Sequence, residues 1–356
     1  MQPLVRKVVR QRMMLGAFLL VGALLFWLQP VRARFNDTPR FGYEVQDVAE
    51  MVADTMHRNG FDVPHYLAMQ DSLFLPPANA AQVLVPARVP VTADYLAQLE
   101  DFTYVRTRIF LEDPSTMLLP GDIDVHEFIN ADLRIDASLP GPHVLIFHTH
   151  STEWFVDTGR EGALYDPMTG IMGVGHYLAQ VLATYYGLEV LHHTGRFDVV
   201  EGRPHIRGAY ERMEPVITQL LADHPQIQLV IDLHRDGVRE GGGPFTQYLN
   251  GTPTARLMFF NGLSRRNVNG EPQPVAWLPN PHQRENLQFS FQAQLAANYL
   301  FPGFNRRIYL RAYRFSLHMH PRTLFVEVGN QYNTLQEAKN AMHPLAAIIA
   351  QVVLSE

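Results

Sequence analysis

Apolar residues fall into two rhythms along the second half of the chain. Short apolar runs occupy 144–148, 188–192, 228–234, 256–261, 307–312 and 323–328, and each reads as a strand. Between them apolar residues recur at helical spacing over 174–186, 210–222, 286–299 and 335–354, with Gly187 closing the first of these helices. Strands alternating with helices in this way predict an α/β domain with a mainly parallel sheet over 141–356. The first half is less regular. Val45, Val48, Met51, Val52 and Met56 predict a helix over 43–59, which Gly60 stops. Prolines interrupt 63–79, whereas 83–91 and 104–110 read as strands. The stretch 122–135 is mixed, after a turn at Leu118-Leu119-Pro120-Gly121. Residues 42–140 are therefore expected to form a small mixed module or an extension of the main domain. Within them His57 and His65 stand alone and read as surface or helix-end residues.

The amino terminus bears on compartment. Residues 1–12 are a basic stub carrying Arg6, Lys7, Arg10 and Arg12, followed by an uncharged apolar run over 13–28. As a helix that run is about 24 Å long, a little short of a hydrocarbon core of about 30 Å. Two readings fit: a cleaved signal peptide, or an uncleaved anchor with its basic end in the cytoplasm. Val31-Arg32-Ala33 makes a poor cleavage site and favours the anchor. Residues 29–41, with two prolines and three arginines, read as a linker. The rest of the chain is expected outside the cytoplasm, on a single-pass membrane protein.

Composition narrows the chemistry. A chain of 356 residues that is 47% hydrophobic suits one large domain, or a domain with a smaller companion. A formal charge of -6 argues against nucleic-acid binding, which normally needs a basic surface. There is no cysteine, so disulfides and thiolate zinc sites are excluded, and any zinc must be held by His, Asp or Glu.

Three predicted strands end on such groups. The first runs into His148-Thr149-His150-Ser151-Thr152-Glu153, the second into Asp232-Leu233-His234-Arg235-Asp236, and the third carries Glu327 among apolar residues. In open α/β sheets, sites form outside the carboxyl ends of strands. His148 and His150 would share a face if their strand persists, with Glu153 just beyond. A His, Glu, His set leaves one tetrahedral position for water, as a catalytic zinc requires. Glu327 then suits the role of general base, its pKa raised by burial. The implied reaction is amide hydrolysis. Against this stands a plainer reading: sixteen histidines make chance pairs common, and Asp232, Arg235 and Asp236 would form a local ion-pair network beside a packed His234.

The same residues resemble a known family. Asn130-Ala131-Asp132-Leu133-Arg134-Ile135-Asp136 with the run from Gly141 to Glu153, Asp232-Leu233-His234-Arg235-Asp236-Gly237, and Val326-Glu327-Val328-Gly329-Asn330-Gln331 continued by Asn333-Thr334-Leu335-Gln336-Glu337-Ala338 are similar to stage II sporulation protein P. The resemblance runs from about Leu99 to the carboxyl end. It implies a zinc-dependent N-acetylmuramoyl-L-alanine amidase of peptidoglycan, with a twisted sheet flanked by helices as in the broader cell-wall amidases. It also implies a membrane anchor, a place in the engulfment stage of sporulation, and partners in a lytic transglycosylase (stage II sporulation protein D) and a membrane scaffold (protein M). Carried over residue by residue, it makes His234 a ligand and Glu327 the base. It leaves His148 and His150 both open, makes Glu153 the carboxylate ligand, and leaves Glu161 as a further candidate. Arg235 and Asp236 would orient ligands, and His282 and Asn286 would line the substrate groove. His192 and His193 read as strand-end surface residues. The segment Arg314-Phe315-Ser316-Leu317-His318 departs from the family, where an Asn-Gln pair is usual. Two further readings stay open: a zinc endopeptidase of stem-peptide cross-links, and a wall-binding scaffold without turnover.

Overall fold

The structure is a computed structural model and describes residues 89–355. The chain divides into two compact units, Met1–Phe74 and Leu75–Glu356, and the described residues belong to the second. The expected anchor at 13–28, the linker, the helix over 43–59, His57, His65 and most of the strand over 83–91 lie outside the described residues. No helix among the described residues is long and apolar enough to cross a membrane.

Seven strands make the main sheet: β1 (Phe110–Glu112), β2 (Val144–Phe147), β3 (Val190–His192), β4 (Leu229–Asp236), β5 (Leu257–Gly262), β6 (Ile308–Arg311) and β7 (Thr323–Asn330). Their order is β1-β6-β5-β7-β4-β2-β3. The strands β7, β4, β2 and β3 run parallel, as do β1, β6 and β5, and the two blocks meet antiparallel at β5 and β7. The principal helices are α1 (Ala93–Glu100), α2 (Val125–Asn130), α3 (Ile171–Tyr186), α4 (Ala209–Asp223), α5 (Gln283–Leu300), α6 (Leu335–Asn340) and α7 (Met342–Val353). Strand alternation sorts the core into two layers. Val144, Ile146, Ile231, Leu233, Val326 and Val328 pack with α3, α5 and α7 on one face. Leu145, Phe147 and Val230 pack against Met213 and Ile217 of α4 on the other, where Phe325 and Phe260 meet Leu317. The mainly parallel, helix-flanked sheet expected from the alternation is thus present, with the reversal at β5 as an addition.

Several local expectations change. The strand over 104–110 is mostly a helical turn at Phe102–Tyr104 followed by a π-helical turn at Val105–Ile109, and only Phe110–Glu112 is extended. Val105 and Ile109 are four apart and both bury in the main core, a spacing that a helical turn satisfies as well as a strand. The same core takes Leu99, Phe110 and Phe128, and β1 pairs with β6, so 93–135 extends the sheet domain rather than standing apart from it at 140/141. The closing helix is two helices, broken at Ala341. Pro344 has no N–H to continue a helix from upstream and is tolerated only in the first turn of a new one. Gly187 does end α3, in the left-handed conformation at φ 66°.

Candidate metal centre

Period two along β4 points Asp232 and His234 to the α4 face, in phase with Val230. On β7, Phe325 lies opposite Asp232 and Glu327 opposite His234. The His234 ring stacks on Phe325 with centroids 4.3 Å apart and planes within 4°. Its Nε2 sits 2.8 Å from Asp232 Oδ1, close as an ion pair but off the line of a hydrogen bond.

Strand β2 stops at Phe147. His148 therefore continues the phase of Val144 and Ile146 and turns to the α3 face, where it is fully buried. Its Nδ1 is 2.7 Å from the Leu233 carbonyl and its Nε2 is 2.9 Å from His192 Nε2. A neutral imidazole so placed donates from Nδ1 to the carbonyl and accepts at Nε2. Burial lowers its pKa to about 4 and keeps it neutral. His148 is thus not brought to the ligand cluster. The expectation that it shares a face with His150 fails because the strand ends at Phe147, before either histidine.

Beyond His148 two carboxylates hold the loop. Asp232 accepts from the Thr149 N–H at 3.0 Å and from its hydroxyl at 2.8 Å. Buried Asp198 accepts from Ser151 Oγ, Thr152 N–H and Thr152 Oγ1. So clamped, the loop sets His150 and Glu153 over His234. Glu153 Oε1 lies 3.3 Å from His234 Nδ1 and 3.7 Å from His150 Nδ1. One ligand atom from each of the three residues falls within 4.8 Å of the others. Glu153 Oε2 accepts from the Arg235 backbone N–H at 2.8 Å, and the Arg235 guanidinium lies 5.6 Å over the Trp154 ring.

The charges are those of a cation site. Burial opposes ionisation of Glu153, yet His234, His150 and Arg235 hold its pKa far below the usual carboxylate range. Burial alone would lower His234, but Asp232 and Glu153 raise it well above its ordinary value. Burial pushes Glu327 up to about 8, with Glu153 and Asp236 adding to the rise and His234 and Arg235 opposing it. Its Oε2 is buried without a hydrogen-bond partner. Tetrahedral ligands about 2.0–2.1 Å from zinc lie about 3.3 Å apart, close to the spacings found. Two imidazoles, one carboxylate, an acid behind His234 that orients it and an orphaned carboxyl oxygen beside it fit a divalent cation of the zinc type.

The other expected residues scatter. Asp236 pairs with Arg306 at 2.6 Å. Asn286 is fully buried, and its amide spans the Leu317 carbonyl and the Thr323 N–H, so it cannot line a groove. His282 precedes the first turn of α5. Glu161 is exposed on a short helix, Gly159–Tyr165. His192 supports His148, and His193 stacks on Phe197 at 5.5 Å. Sequence reasoning missed the roles of Asp198 and Tyr210, whose ring meets His150 edge-on at 5.5 Å. Asp232 had a usable signal: it lies two residues from His234 on a strand.

Fold and site together define an α/β protein with a mostly parallel sheet and a two-imidazole, one-carboxylate cluster suited to a divalent metal. The chain belongs to the Stage II sporulation protein P (SpoIIP) family, whose model matches residues 122–350. A curated relative, Stage II sporulation protein P of Bacillus subtilis (strain 168), is 21% identical over 224 residues, which are 59% of this chain and 50% of the relative, so the chain spans about half its length. Among solved structures, N-acetylmuramoyl-L-alanine amidase AmiC2 of Nostoc punctiforme is 11% identical, with a TM-score of 0.33, covering 59% of this chain and 96% of that one. The CwlD amidase of Clostridioides difficile, solved with the GerS lipoprotein, is 10% identical, with a TM-score of 0.37 and the same coverage. Likeness at that level does not define this chain's activity.

Proposed function

We propose that this protein is a zinc-dependent peptidoglycan hydrolase that cuts the amide between N-acetylmuramic acid and L-alanine during sporulation, from a membrane-anchored position outside the cytoplasm. The observation that carries the reading is the meeting of His150, Glu153 and His234 beside Glu327, which faces His234 across the ladder and has a buried oxygen free. Zinc bound there would polarise an amide carbonyl and acidify a water. Glu327 takes the proton from the attacking water as the C–O bond forms. It returns that proton to the departing amine as the C–N bond breaks. Asp232 holds the His234 ring, and the Arg235 N–H holds Glu153, so neither ligand must reorganise during turnover. The transglycosylase and scaffold partners expected from the family resemblance belong to this proposal too, and co-purification from sporulating cells tests them.

The activity is tested by digesting purified peptidoglycan with the zinc-loaded protein and identifying the new amine. Release of stem peptides bearing a free L-alanine amino group is the expected outcome. New amines only at cross-links would replace the amidase by an endopeptidase. No release with zinc bound would leave a wall-binding scaffold.

A further inference from the structure

We propose that the Tyr210 hydroxyl is a further catalytic group, donating a hydrogen bond to the oxygen that becomes negative when water adds to the scissile amide. This rests on the hydrolase reading above and adds a residue that neither the cluster nor the sequence pattern singled out.

Tyr210 is the second residue of α4, after Gly208 at the helix cap. Its ring is fixed on two sides. It meets the His150 ring edge-on at 5.5 Å and 82°, and the Phe315 ring at 5.5 Å and 70°. Phe315 holds a left-handed backbone at φ 52°, a conformation that a bulky L-residue rarely adopts and that clusters at functional sites. Phe260 and Phe325 pack against its ring, at 4.8 Å and 6.2 Å. Phe325 in turn stacks under His234. One chain of rings thus runs from His150 through Tyr210, Phe315 and Phe325 to His234, so the phenol is placed by the same packing that places two of the three candidate ligands.

The chemistry of the surroundings fixes what the hydroxyl can do. A phenol keeps its proton at neutral pH, so the hydroxyl is a neutral donor. Two other donors nearby are committed. The Thr149 hydroxyl is bound to Asp232, and the Arg235 guanidinium to the Trp154 and Asp236 carbonyls. The Tyr210 hydroxyl makes no hydrogen bond among the described residues. When water oxygen bonds to the carbonyl carbon, the carbonyl electron pair moves onto oxygen and the phenol O–H points at it. No proton transfers from Tyr210, and the bond is released when the C–N bond breaks.

The test compares full-chain wild type, Tyr210→Phe and Glu327→Gln, each loaded with zinc, on a muramoyl-L-alanyl peptide and with a phosphonamidate analogue of the scissile amide. Phenylalanine keeps the ring contacts and removes only the hydroxyl. Tyr210→Phe is expected to lose about 100-fold in kcat with KM unchanged, the loss typical of one oxyanion donor. Analogue affinity should fall by a like factor, while zinc affinity and the thermal midpoint stay at wild-type values. The proposal is overturned if Tyr210→Phe keeps kcat within about twofold while Glu327→Gln is inactive, or if Tyr210→Phe loses zinc. If zinc-loaded wild type itself releases no product, the hydrolase reading falls, a result distinct from both, whereas normal hydrolysis by Glu327→Gln would take only the base role from Glu327.

Discussion

Glu327 is an acid with one buried oxygen left unbonded, set among two cationic or ionisable groups, His234 and Arg235, and two further carboxylates, Glu153 and Asp236. Leaving such a group unpaired costs stability, which a protein tolerates where the group has work to do. Glu327→Gln keeps the shape and removes the base. Hydrolysis should drop by about 10²–10⁴-fold with zinc still bound at one equivalent, measured by muropeptide release and by metal analysis of the same sample. Asp232 is a different case, since it touches His234 and Thr149 but not the cluster atoms. Asp232→Asn should weaken zinc binding by about 10–100-fold, read by competition with a chromophoric chelator. Unchanged affinity would mean that stacking on Phe325 alone orients His234.

At the scale of elements, the site depends on how closely α3 approaches β2. A Cβ at Gly175 would lie 2.5 Å from both Cε1 and Nε2 of His148. Glycine is needed there because the helix touches the ring, although its own φ is ordinary. Gly175→Ala should cost about 1–3 kcal/mol by overpacking and, by pushing His148 off the Leu233 carbonyl, should also weaken zinc binding. Calorimetric unfolding with a zinc titration checks both. A variant as stable as wild type would show that the ring can shift freely. The turn at Val105–Ile109 carries a related lesson. Two apolar residues four apart were compatible with a strand, and only burial of both in one core decided for a helical turn.

For the whole molecule, the metal-free site makes stability fall as pH rises. The folded protein raises Glu327 to about 8, so between the ordinary carboxylate range and pH 8 the native state holds a proton that the unfolded state has released. That contribution is complete at low pH and is lost as pH rises through the folded value. His234, also raised, acts in the same direction above its ordinary value. Buried His148, His192, His320 and His343, lowered to about 3 or 4, act the other way below the ordinary histidine value, so it is the difference in denaturant midpoint between chelated wild type and Glu327→Gln that should decline from pH 5 to 8. Zinc reverses the trend, because binding needs unprotonated donors and releases protons. Zinc affinity should rise over the same pH span. A flat profile with and without chelator would argue against a metal at this site.

Much of this molecule is local and was legible in the chain. Alternating strands and helices, the helix stop at Gly187, and strands ending near His234 and Glu327 follow from periodicity and from glycine's tolerance of positive φ, which need only neighbouring residues. Other features are set by contacts between distant parts. His150 rather than His148 meets Glu153 because β2 ends at Phe147 and because Asp232 and Asp198, 83 and 47 positions from the residues they hold, turn the loop. The reversed direction of β5 and the placement of Tyr210 against His150 depend on packing across the sheet, which no run of consecutive residues encodes. The chain by itself determined which side chains were available for chemistry. Only the folded arrangement decided which of them stand within reach of one ion, since that distance depends on where each strand stops and what clamps the loop beyond it.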